Sequence, residues 1–301
     1  MPEPWRFEKL NLKSGLNMQV ARTAPNAARP LLVMLHGFPE CWYSWRHQMR
    51  ALAPHFECVA PDLRGYGGTD APVGIENYSL DKLVGDVADL IAACGRERAI
   101  LMAHDWGGAI AWATAMQRPE LVDRLIVMNC PHLKKFRDNL LHNPRQMLRS
   151  WYILFFQLPR IPEAMLRARD FAMLKRTLRD GAIQKSAFSD DDLAHFRAAF
   201  RNPYSITAAI NYYRALFRES VRNRREPEWM AHKITAPTMV IWGEQDVALR
   251  KELTFGMKEL FEGPFEIHYV SDSGHWVQQE KPQVVNDCVS KFLSPMLNLA
   301  G

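Results

Sequence analysis

The chain has 301 residues, of which 48% are hydrophobic and 24% are charged, and its formal net charge is +5. This is the composition of an ordinary globular protein, and it excludes a disordered or fibrous chain. The five cysteines are widely spread and form no CxxC pair, so we expect neither a disulfide framework nor a zinc site. The first twenty residues are polar and charged, so we expect no secretory signal, no integral membrane span and a cytoplasmic location.

Strand and helix signals alternate along most of the chain. Short apolar runs rich in β-branched residues predict buried strands at Leu31–Leu35, Cys58–Ala60, Ala99–Ala103, Arg124–Met128, Thr238–Trp242 and Glu266–Val270. Helical periodicity between these runs predicts helices at Leu80–Cys94, Gly107–Gln117, Arg250–Leu260 and Pro282–Leu293. This alternation is typical of an α/β fold with a mostly parallel sheet that helices cover on both faces.

The alternation stops between about residues 133 and 230, where segments such as DDLAHFRAAF and SITAAINYYRALF are helical in period and no strand signal separates them. We therefore predict a helical cap over 133–230, inserted into a core domain formed by 1–132 and 231–301. Residues 133–225 contain 19 Lys and Arg against 8 Asp and Glu. A basic segment of this size could bind nucleic acid or anionic lipid. Because its arginines lie at helical spacing without a nucleic-acid motif, we interpret it as a solvated face of the cap and expect no nucleic-acid partner.

The segment AILMAHDWGGAIAWATA predicts a strand, a tight turn and a helix, with Gly107 and Gly108 where strand and helix approach closely. This is the context of a nucleophile elbow, which holds its central residue above the sheet in a strained conformation. Here the central residue is Asp105. A carboxylate is ionised at neutral pH without a base, and it suits displacement at an sp³ carbon. We therefore predict that Asp105 attacks such a carbon and forms an alkyl–enzyme ester.

Hydrolysis of that ester requires a base that activates water. Asp246 follows the strand TMVIWGEQD, and His275 follows the strand EIHYV, in DSGHW. Nucleophile, acid and histidine thus appear in the order expected of such a fold, with the acid orienting the imidazole. Glu244, two residues before Asp246, is the alternative orienting carboxylate.

The apolar strand LLVML runs into the turn HGFPE. We expect the backbone N–H groups of Phe38 and Trp106 to form an oxyanion hole, where each donor contributes about 3 kcal/mol. The chain must turn sharply there, so we predict that the Phe38–Pro39 peptide bond is cis.

Five segments carry a resemblance to a known family: HGFPE at 36–40, DLRGYGGTDAP at 62–72, HDWGG at 104–108, WGEQD at 242–246 and SGHW at 273–276. In these segments the chain resembles the epoxide hydrolase branch of the α/β-hydrolase superfamily, close to epoxide hydrolases 3 and 4. The resemblance covers nearly the whole chain after about residue 30. It implies the α/β-hydrolase fold and the conversion of a small apolar epoxide and water to a vicinal diol, without a metal or another cofactor.

The resemblance also implies two cap tyrosines whose hydroxyls hydrogen-bond the epoxide oxygen, and Tyr152 and Tyr213 match these positions. Neutral phenols suit this role because an opening alkoxide is far more basic than a tyrosinate with a pKa of ~10. Tyr212 and Tyr204 are the alternative registers.

The resemblance further implies that Glu40 and His104 help to position the hydrolytic water, although Glu40 can equally brace a loop and His104 can be a structural donor. Aromatic side chains near these segments are candidates for an apolar substrate pocket, with ordinary packing as the alternative. The candidates are Phe38, Trp106, Phe155, Phe156 and Trp276.

A dehalogenase is the alternative enzyme, because it shares the fold, the aspartate nucleophile and the alkyl–enzyme ester. Haloalkane dehalogenases hold the halide with two side-chain N–H donors. Trp106 supplies one, whereas Phe38 supplies none, so the second would come from Trp151 or another cap residue. Haloacetate dehalogenases carry a basic residue where this chain has Trp106. A ligand-binding protein on the same scaffold is the third possibility, and its expected signature is a broken triad.

Overall fold

The computed structural model describes residues 3–222 and 226–297, which form an eight-stranded sheet and its surrounding helices. The strands are β1 (Trp5–Asn11), β2 (Asn17–Thr23), β3 (Leu31–Leu35), β4 (Glu57–Pro61), β5 (Ala99–His104), β6 (Val122–Met128), β7 (Thr238–Gly243) and β8 (Phe265–Val270). The helices are α1 (Arg46–Leu52), α2 (Leu80–Ala93), α3 (Trp106–Gln117), α4 (Leu133–His142), α5 (Pro144–Arg149), α6 (Trp151–Phe155), α7 (Ile161–Lys175), α8 (Asp190–Ala198), α9 (Ser205–Arg222), α10 (Val277–Glu280) and α11 (Pro282–Leu297).

The sheet has the strand order β1-β2-β4-β3-β5-β6-β7-β8. The pairs β1–β2 and β2–β4 are antiparallel, and the other pairs are parallel. Successive side chains of β3 enter different cores: Leu32 and Met34 belong to the cluster on one face, and Val33 and Leu35 to the cluster on the other. A strand that is apolar on both sides requires cover on both faces. The predicted fold class, a mostly parallel sheet covered by helices, is confirmed.

All six predicted strands are confirmed, with ends that move by at most two residues. The hairpin of β1 and β2 was not predicted, because neither segment is a continuous apolar run, although the start of β1 alternates apolar and charged residues as an edge strand does. The helix predicted over Arg250–Leu260 is wrong. Two short 3₁₀ turns, Lys251–Thr254 and Met257–Leu260, stand there instead. They are separated at Gly256, whose φ of +67° ends helical geometry.

Helices α4 to α9 lie between β6 and β7, where the described residues contain no strand. The helical segments predicted at DDLAHFRAAF and SITAAINYYRALF are confirmed as α8 and α9. α7 is interrupted at its centre, where three consecutive residues from 169 to 171 have positive φ. A buried ion pair between Glu163 and Arg214, 2.6 Å long, joins α7 to α9. The described helices include none with the length and apolar character that a membrane crossing requires.

Helix α3 approaches the sheet so closely that two positions in its first turn, Gly107 and Gly108, have no room for a side chain. A Cβ on Gly107 would lie 2.1 Å from the carbonyl oxygen of Leu35, and one on Gly108 would lie 2.5 Å from the Cβ of Cys130. Real Cβ atoms do not tolerate such distances, so α3 can seat itself over β3 and β6 only with glycine here. The position of the residue that precedes α3 depends on this seating.

Gly108→Ala should therefore destabilise the protein, by about 1–3 kcal/mol, because the new methyl group forces α3 away from Cys130. Gly85, inside α2, is the matched control, since a Cβ there meets nothing within 4 Å. Gly85→Ala should instead stabilise the fold by about 0.5–1 kcal/mol. Chemical denaturation measures both free energies of unfolding, and equal effects of the two substitutions would contradict this packing argument.

Candidate active site

The strand register brings the carboxyl ends of neighbouring strands together. His104 at the end of β5 lies opposite Met128 at the end of β6, which lies opposite Ile241 of β7. The residues that follow, Asp105 and Asn129, therefore emerge side by side at one edge of the sheet. In open α/β sheets, this carboxyl edge is where ligands bind.

Asp105 occupies the tight turn between β5 and α3 with φ +49° and ψ −120°. A non-glycine residue in this region is strained, and such strain persists only where the surroundings fix it. The N–H of Phe38 donates to Oδ1 of Asp105 at 2.8 Å. Gly37 lies so close that a Cβ on it would stand 2.5 Å from the same oxygen. The Phe38–Pro39 bond in this turn is cis, as predicted.

His275 lies between two carboxylates. Its Nδ1 is 2.7 Å from Oδ2 of Asp246, and its Nε2 is 3.6 Å from Oδ2 of Asp105. Because a carboxylate accepts but does not donate, Nδ1 carries a proton and points to Asp246. Glu244, the alternative orienting carboxylate, accepts instead from Nζ of Lys251 at 2.6 Å. The structure thus brings Asp105, His275 and Asp246 into one series, in which His275 hydrogen-bonds Asp246 and lies within ion-pair distance of Asp105.

Asn129, which the sequence analysis did not identify, supports this series from β6. Its Nδ2 donates to Oδ2 of Asp246 at 2.8 Å, and its Oδ1 accepts the N–H of Gly243 at 2.9 Å. The N–H groups of Ala248 and Leu249 donate to the other oxygen of Asp246 at 2.8 Å. Asn129 has φ +40°, which Asn tolerates better than most residues. The sequence did contain a signal for Asn129, because this asparagine directly follows a buried strand, and the next core strand leads to Asp246.

The charges of the series stabilise one another. Burial alone opposes ionisation of Asp105, but the close contact with His275 and its positive charge outweigh burial and lower the pKa of the carboxyl. Burial likewise opposes protonation of His275, but the negative charge of Asp246 and the contact with Asp105 raise the pKa of the imidazole well above its usual value. Asp105 is therefore ionised, and an imidazolium is favoured while both carboxylates keep their charge.

Glu40 and His104 lie behind His275 and are fully buried. Nδ1 of His104 is 2.8 Å from Oε2 of Glu40, and its Nε2 donates to the carbonyl oxygen of His275 at 2.8 Å. Gln279 donates to the other oxygen of Glu40 at 2.6 Å. Burial opposes the charge of Glu40, but His104 lowers its pKa through charge and hydrogen bonding. These contacts link Glu40 to the backbone of His275, and a role in positioning water stays a prediction.

A cavity that is partly open to solvent lies over Asp105, and the empty space there is about 510 Å³ when the part open to solvent is included. Tyr152 of α6 and Tyr213 of α9 both line it, with ring centroids 5.8 Å apart. Burial raises the pKa of each phenol, and the negative charge of Asp105 raises it further. Both phenols are therefore neutral. Tyr212 donates its hydroxyl to the carbonyl oxygen of Arg64 at 2.8 Å.

Tyr204, the other alternative register, is exposed. The structure therefore brings Tyr152 and Tyr213, and neither alternative, to the cavity over the carboxylate. The described residues that complete the lining are mostly apolar: Trp106, Ala109, Cys130, Pro131, Leu133, Phe136, Ile153, Leu216 and Leu249.

Of the five predicted pocket residues, Trp106 alone is among the described residues of this lining. The Phe38 ring instead packs edge to face with Phe156, with centroids 6.0 Å apart. The ring of Phe155 packs against that of Trp151, with centroids 5.7 Å apart, and the ring of Trp276 packs against that of Phe188, with centroids 5.8 Å apart. These aromatic residues were predicted because they lie near the motifs in the sequence. Which side chains of the insertion reach the cavity depends instead on the face that each helix turns toward it.

Residues 30–282 match the α/β-hydrolase fold family. The chain belongs to this family. The hydrolase is 38% identical over 284 residues to Epoxide hydrolase 4 of Mus musculus, covering 93% of this chain and 77% of that protein. It is 39% identical over 268 residues to Epoxide hydrolase 3 of Xenopus tropicalis, covering 88% of this chain and 71% of that protein. These relatives confirm the resemblance to the epoxide hydrolase branch.

Solved structures agree with these relatives. The crystal structure of a Bacillus megaterium epoxide hydrolase in complex with an inhibitor superposes on the hydrolase with a TM-score of 0.86 and 31% sequence identity. The match covers 96% of this chain and 100% of that chain.

The contact between Asp105 and His275 makes a prediction about titration. Asp105→Asn removes a negative charge 3.6 Å from Nε2 of His275, so the imidazolium loses stability and its pKa should fall. Ring ¹⁵N NMR shifts followed against pH measure this pKa. Glu244→Gln is the control, because Glu244 binds Lys251 and should leave the titration of His275 unchanged. An unchanged or higher pKa in Asp105→Asn would show that the two groups do not interact.

Proposed function

We propose that this hydrolase opens an epoxide to a vicinal diol through an alkyl ester on Asp105. The observation that carries the proposal is the shared cavity: the ionised carboxylate of Asp105 and the neutral phenols of Tyr152 and Tyr213 line the same largely apolar space. Epoxide opening needs a nucleophile on one side of the ring and a proton donor on the other. The names of the relatives, epoxide hydrolases 3 and 4, support the same activity.

In the first step, a carboxylate oxygen of Asp105 bonds to an epoxide carbon while that carbon's bond to the ring oxygen breaks. Oδ1 is held by the N–H of Phe38, so Oδ2 is the oxygen that attacks. The ring oxygen leaves as an alkoxide and takes a proton from Tyr152 or Tyr213. The transfer is favourable because the alkoxide is far more basic than the tyrosinate that it leaves behind.

In the second step, Nε2 of His275 takes a proton from water, and the water oxygen bonds to the carboxyl carbon of Asp105. Negative charge then develops on Oδ1, which the N–H of Phe38 already binds. We propose the N–H of Trp106, in the first turn of α3, as the second donor, and each donor contributes about 3 kcal/mol. The bond between the carboxyl carbon of Asp105 and Oδ2 then breaks, and His275 returns its proton to Oδ2, which leaves with the diol. The second water proton restores the tyrosine.

Ester formation also prepares the base for this step. An imidazolium cannot accept a proton, and the charge of Asp105 is one cause of the raised pKa of His275. The ester removes that charge, so the pKa of His275 falls and the imidazolium releases its Nε2 proton to solvent before a base is needed. Asp246 keeps the ring oriented throughout, and we propose that Asn129, Glu40 and His104 hold Asp246 and His275 in place.

The remaining assignments follow the same mechanism. We propose that residues 133–230 form the cap and that 1–132 and 231–301 form the core. The cap then supplies the phenols, and the core supplies the charged groups. The five cysteines are free thiols, which supports a reducing compartment and hence a cytoplasmic location. The apolar lining supports a small apolar epoxide as the substrate.

A dehalogenase fits the cavity less well. Among the described residues that line it, Trp106 is the one that carries a side-chain N–H, and none is Lys or Arg. Trp151, the possible second halide donor, is largely exposed and contacts Phe155. A leaving halide would therefore meet two phenols and one indole, whereas an opening epoxide meets the proton donors that it requires.

Substitution of the two tyrosines tests the proposal. Tyr152→Phe and Tyr213→Phe should each lower kcat/KM for an epoxide such as styrene oxide by roughly 10²-fold or more, because one positioned acid is lost. The double variant should be nearly inactive. A bromide leaving group needs no proton, so any slow turnover of a bromoalkane should persist in all three variants.

Tyr212→Phe is the matched control, since its hydroxyl is committed to the carbonyl of Arg64. It should change kcat/KM for the epoxide by only a few-fold, and circular dichroism should show that every variant is folded. Wild-type epoxide hydrolysis by the double variant would overturn the assignment of the phenols. Efficient bromoalkane turnover with no epoxide turnover in the wild type would replace the proposed function by dehalogenation.

A further inference from the structure

The outer surface of α5 and α6 carries large apolar side chains in solvent. Leu148 is 75% exposed, and Trp151 and Leu154 are each 61% exposed. The same exposed character continues along the chain at Leu158, Ile161 and Met165. Isolated apolar residues are normal on protein surfaces, but a contiguous apolar patch marks a surface that contacts something other than water.

The backbone places several of these side chains on one side of a helical segment. Helical turns connect α5 to α6 and continue to residue 158, through hydrogen bonds such as Ser150 N–H to the carbonyl oxygen of Gln146, and Leu158 N–H to that of Phe155. Residues 148, 151, 155 and 158 are spaced three or four apart and therefore share one face. Tyr152 and Ile153 of the same helix line the cavity instead.

Exposed arginines precede and follow this apolar face along the chain. Residues 144–169 include five exposed arginines: Arg145, Arg149, Arg160, Arg167 and Arg169. The same stretch contains one acidic residue, Glu163, which is buried and paired with Arg214. The exposed part of the stretch is therefore apolar and basic, and we call the exposed side chains of residues 144–169 the apolar–basic surface.

We propose that the apolar–basic surface docks on the surface of an anionic lipid bilayer. Leucine and tryptophan side chains would enter the boundary between head groups and acyl chains, while the arginines remain at the level of the lipid phosphates. Each basic residue near an anionic bilayer contributes to attraction, and here no exposed acidic side chain in the stretch opposes it. This combination differs from an ordinary solvated face, which would not expose leucine and tryptophan among the arginines.

A second copy of this chain suits the surface less well. In a symmetric dimer the same patch faces itself, so the arginines of the two copies would approach one another without carboxylates between them. An anionic bilayer instead offers negative charge and an apolar layer at the depth that the leucines reach.

Docking itself does not depend on the proposed function, but its consequence does. Because α6 carries both the exposed Trp151 and the cavity residues Tyr152 and Ile153, a bilayer beneath α6 would lie next to the cavity. Apolar epoxides concentrate in bilayers. A docked enzyme would then take its substrate from the lipid phase.

Vesicle flotation with the full chain tests the docking. The probes are vesicles of phosphatidylcholine alone and vesicles with about 30% phosphatidylglycerol, a composition chosen to supply negative surface charge. We expect the protein to float with the anionic vesicles and to remain unbound with the zwitterionic ones. Raising the salt to about 1 M should weaken the binding, because it screens the arginines.

Two double variants separate the apolar and the basic contributions. Leu148→Ser with Leu154→Ser should lower the affinity for anionic vesicles roughly tenfold or more, because two leucines leave the acyl boundary. Arg145→Gln with Arg160→Gln should lower it about 30-fold, or about fivefold for each arginine. Arg149 and Arg167 are left intact because each donates a hydrogen bond to a backbone carbonyl, so replacing them could disturb the fold as well as the surface charge.

Matched controls use exposed residues outside the surface. Val73→Ser with Val284→Ser removes two exposed apolar side chains, and Lys9→Gln with Lys82→Gln removes two exposed positive charges. Both control proteins should bind as the wild type does. Thermal unfolding and the hydrolysis of a water-soluble epoxide should be unchanged in all four variants, so a loss of vesicle binding would not reflect misfolding.

Three results would overturn the proposal: no flotation of the wild type with anionic vesicles, equal loss of binding in the control variants, or self-association that Leu148→Ser with Leu154→Ser abolishes. Analytical ultracentrifugation detects the third, which would assign the surface to a second copy of the chain. If vesicle binding holds while epoxide hydrolysis is absent, the docking stands and the proposed function fails. If the wild type hydrolyses epoxides but binds no vesicles, the proposed function stands and the docking fails.

Discussion

The active site depends on one buried charge, the carboxylate of Asp105. Removing a carboxylate from water is costly unless hydrogen bonds and an opposite charge replace the water. Here the N–H of Phe38 binds one oxygen and His275 approaches the other, and together they lower the pKa of the acid despite its burial. The strained backbone of Asp105 persists because the close seating of α3, through Gly107, leaves the turn no relaxed alternative.

The same charge organises the two sides of the cavity. On the sheet side it favours a protonated His275, which Asp246 orients. On the side of the helical insertion, burial raises the pKa of Tyr152 and Tyr213, and the charge of Asp105 raises it further because a tyrosinate there would be a second negative charge. In the free enzyme, a charged nucleophile thus faces protonated donors. In the proposed mechanism this separation lets one apolar cavity hold both an attacking oxygen and the acids that protonate the departing one.

Features that depend on a few contiguous residues could be predicted from the sequence. The strand ends, the elbow at Asp105, the cis turn at Phe38 and the order of Asp246 and His275 all follow from contiguous residues. Contributions from distant parts of the chain could not be predicted. The sequence shows that Asn129 directly follows a buried strand, but its role depends on the register of β6 and β7, which brings it to Asp246 and which no local pattern encodes.

The cavity lining shows the same limit. Leu133 and Phe136 belong to α4, Leu216 to α9 and Leu249 to the loop after β7, and they meet only after the insertion folds over the sheet. The mistaken helix after β7 has a different origin: its apolar spacing fits a helix, but Gly256 adopts a left-handed conformation that divides it.

Intact-protein mass spectrometry of His275→Ala with an epoxide substrate tests the central claim, that Asp105 forms an ester, most directly. Without His275 the first displacement retains its nucleophile but the ester loses its base, so the protein mass should rise by the mass of one substrate, with peptide mapping placing the adduct on Asp105. Asp105→Asn combined with His275→Ala should remain unmodified. An unmodified His275→Ala protein, under conditions where the wild type turns over, would mean that no ester forms and that the account of this site is wrong.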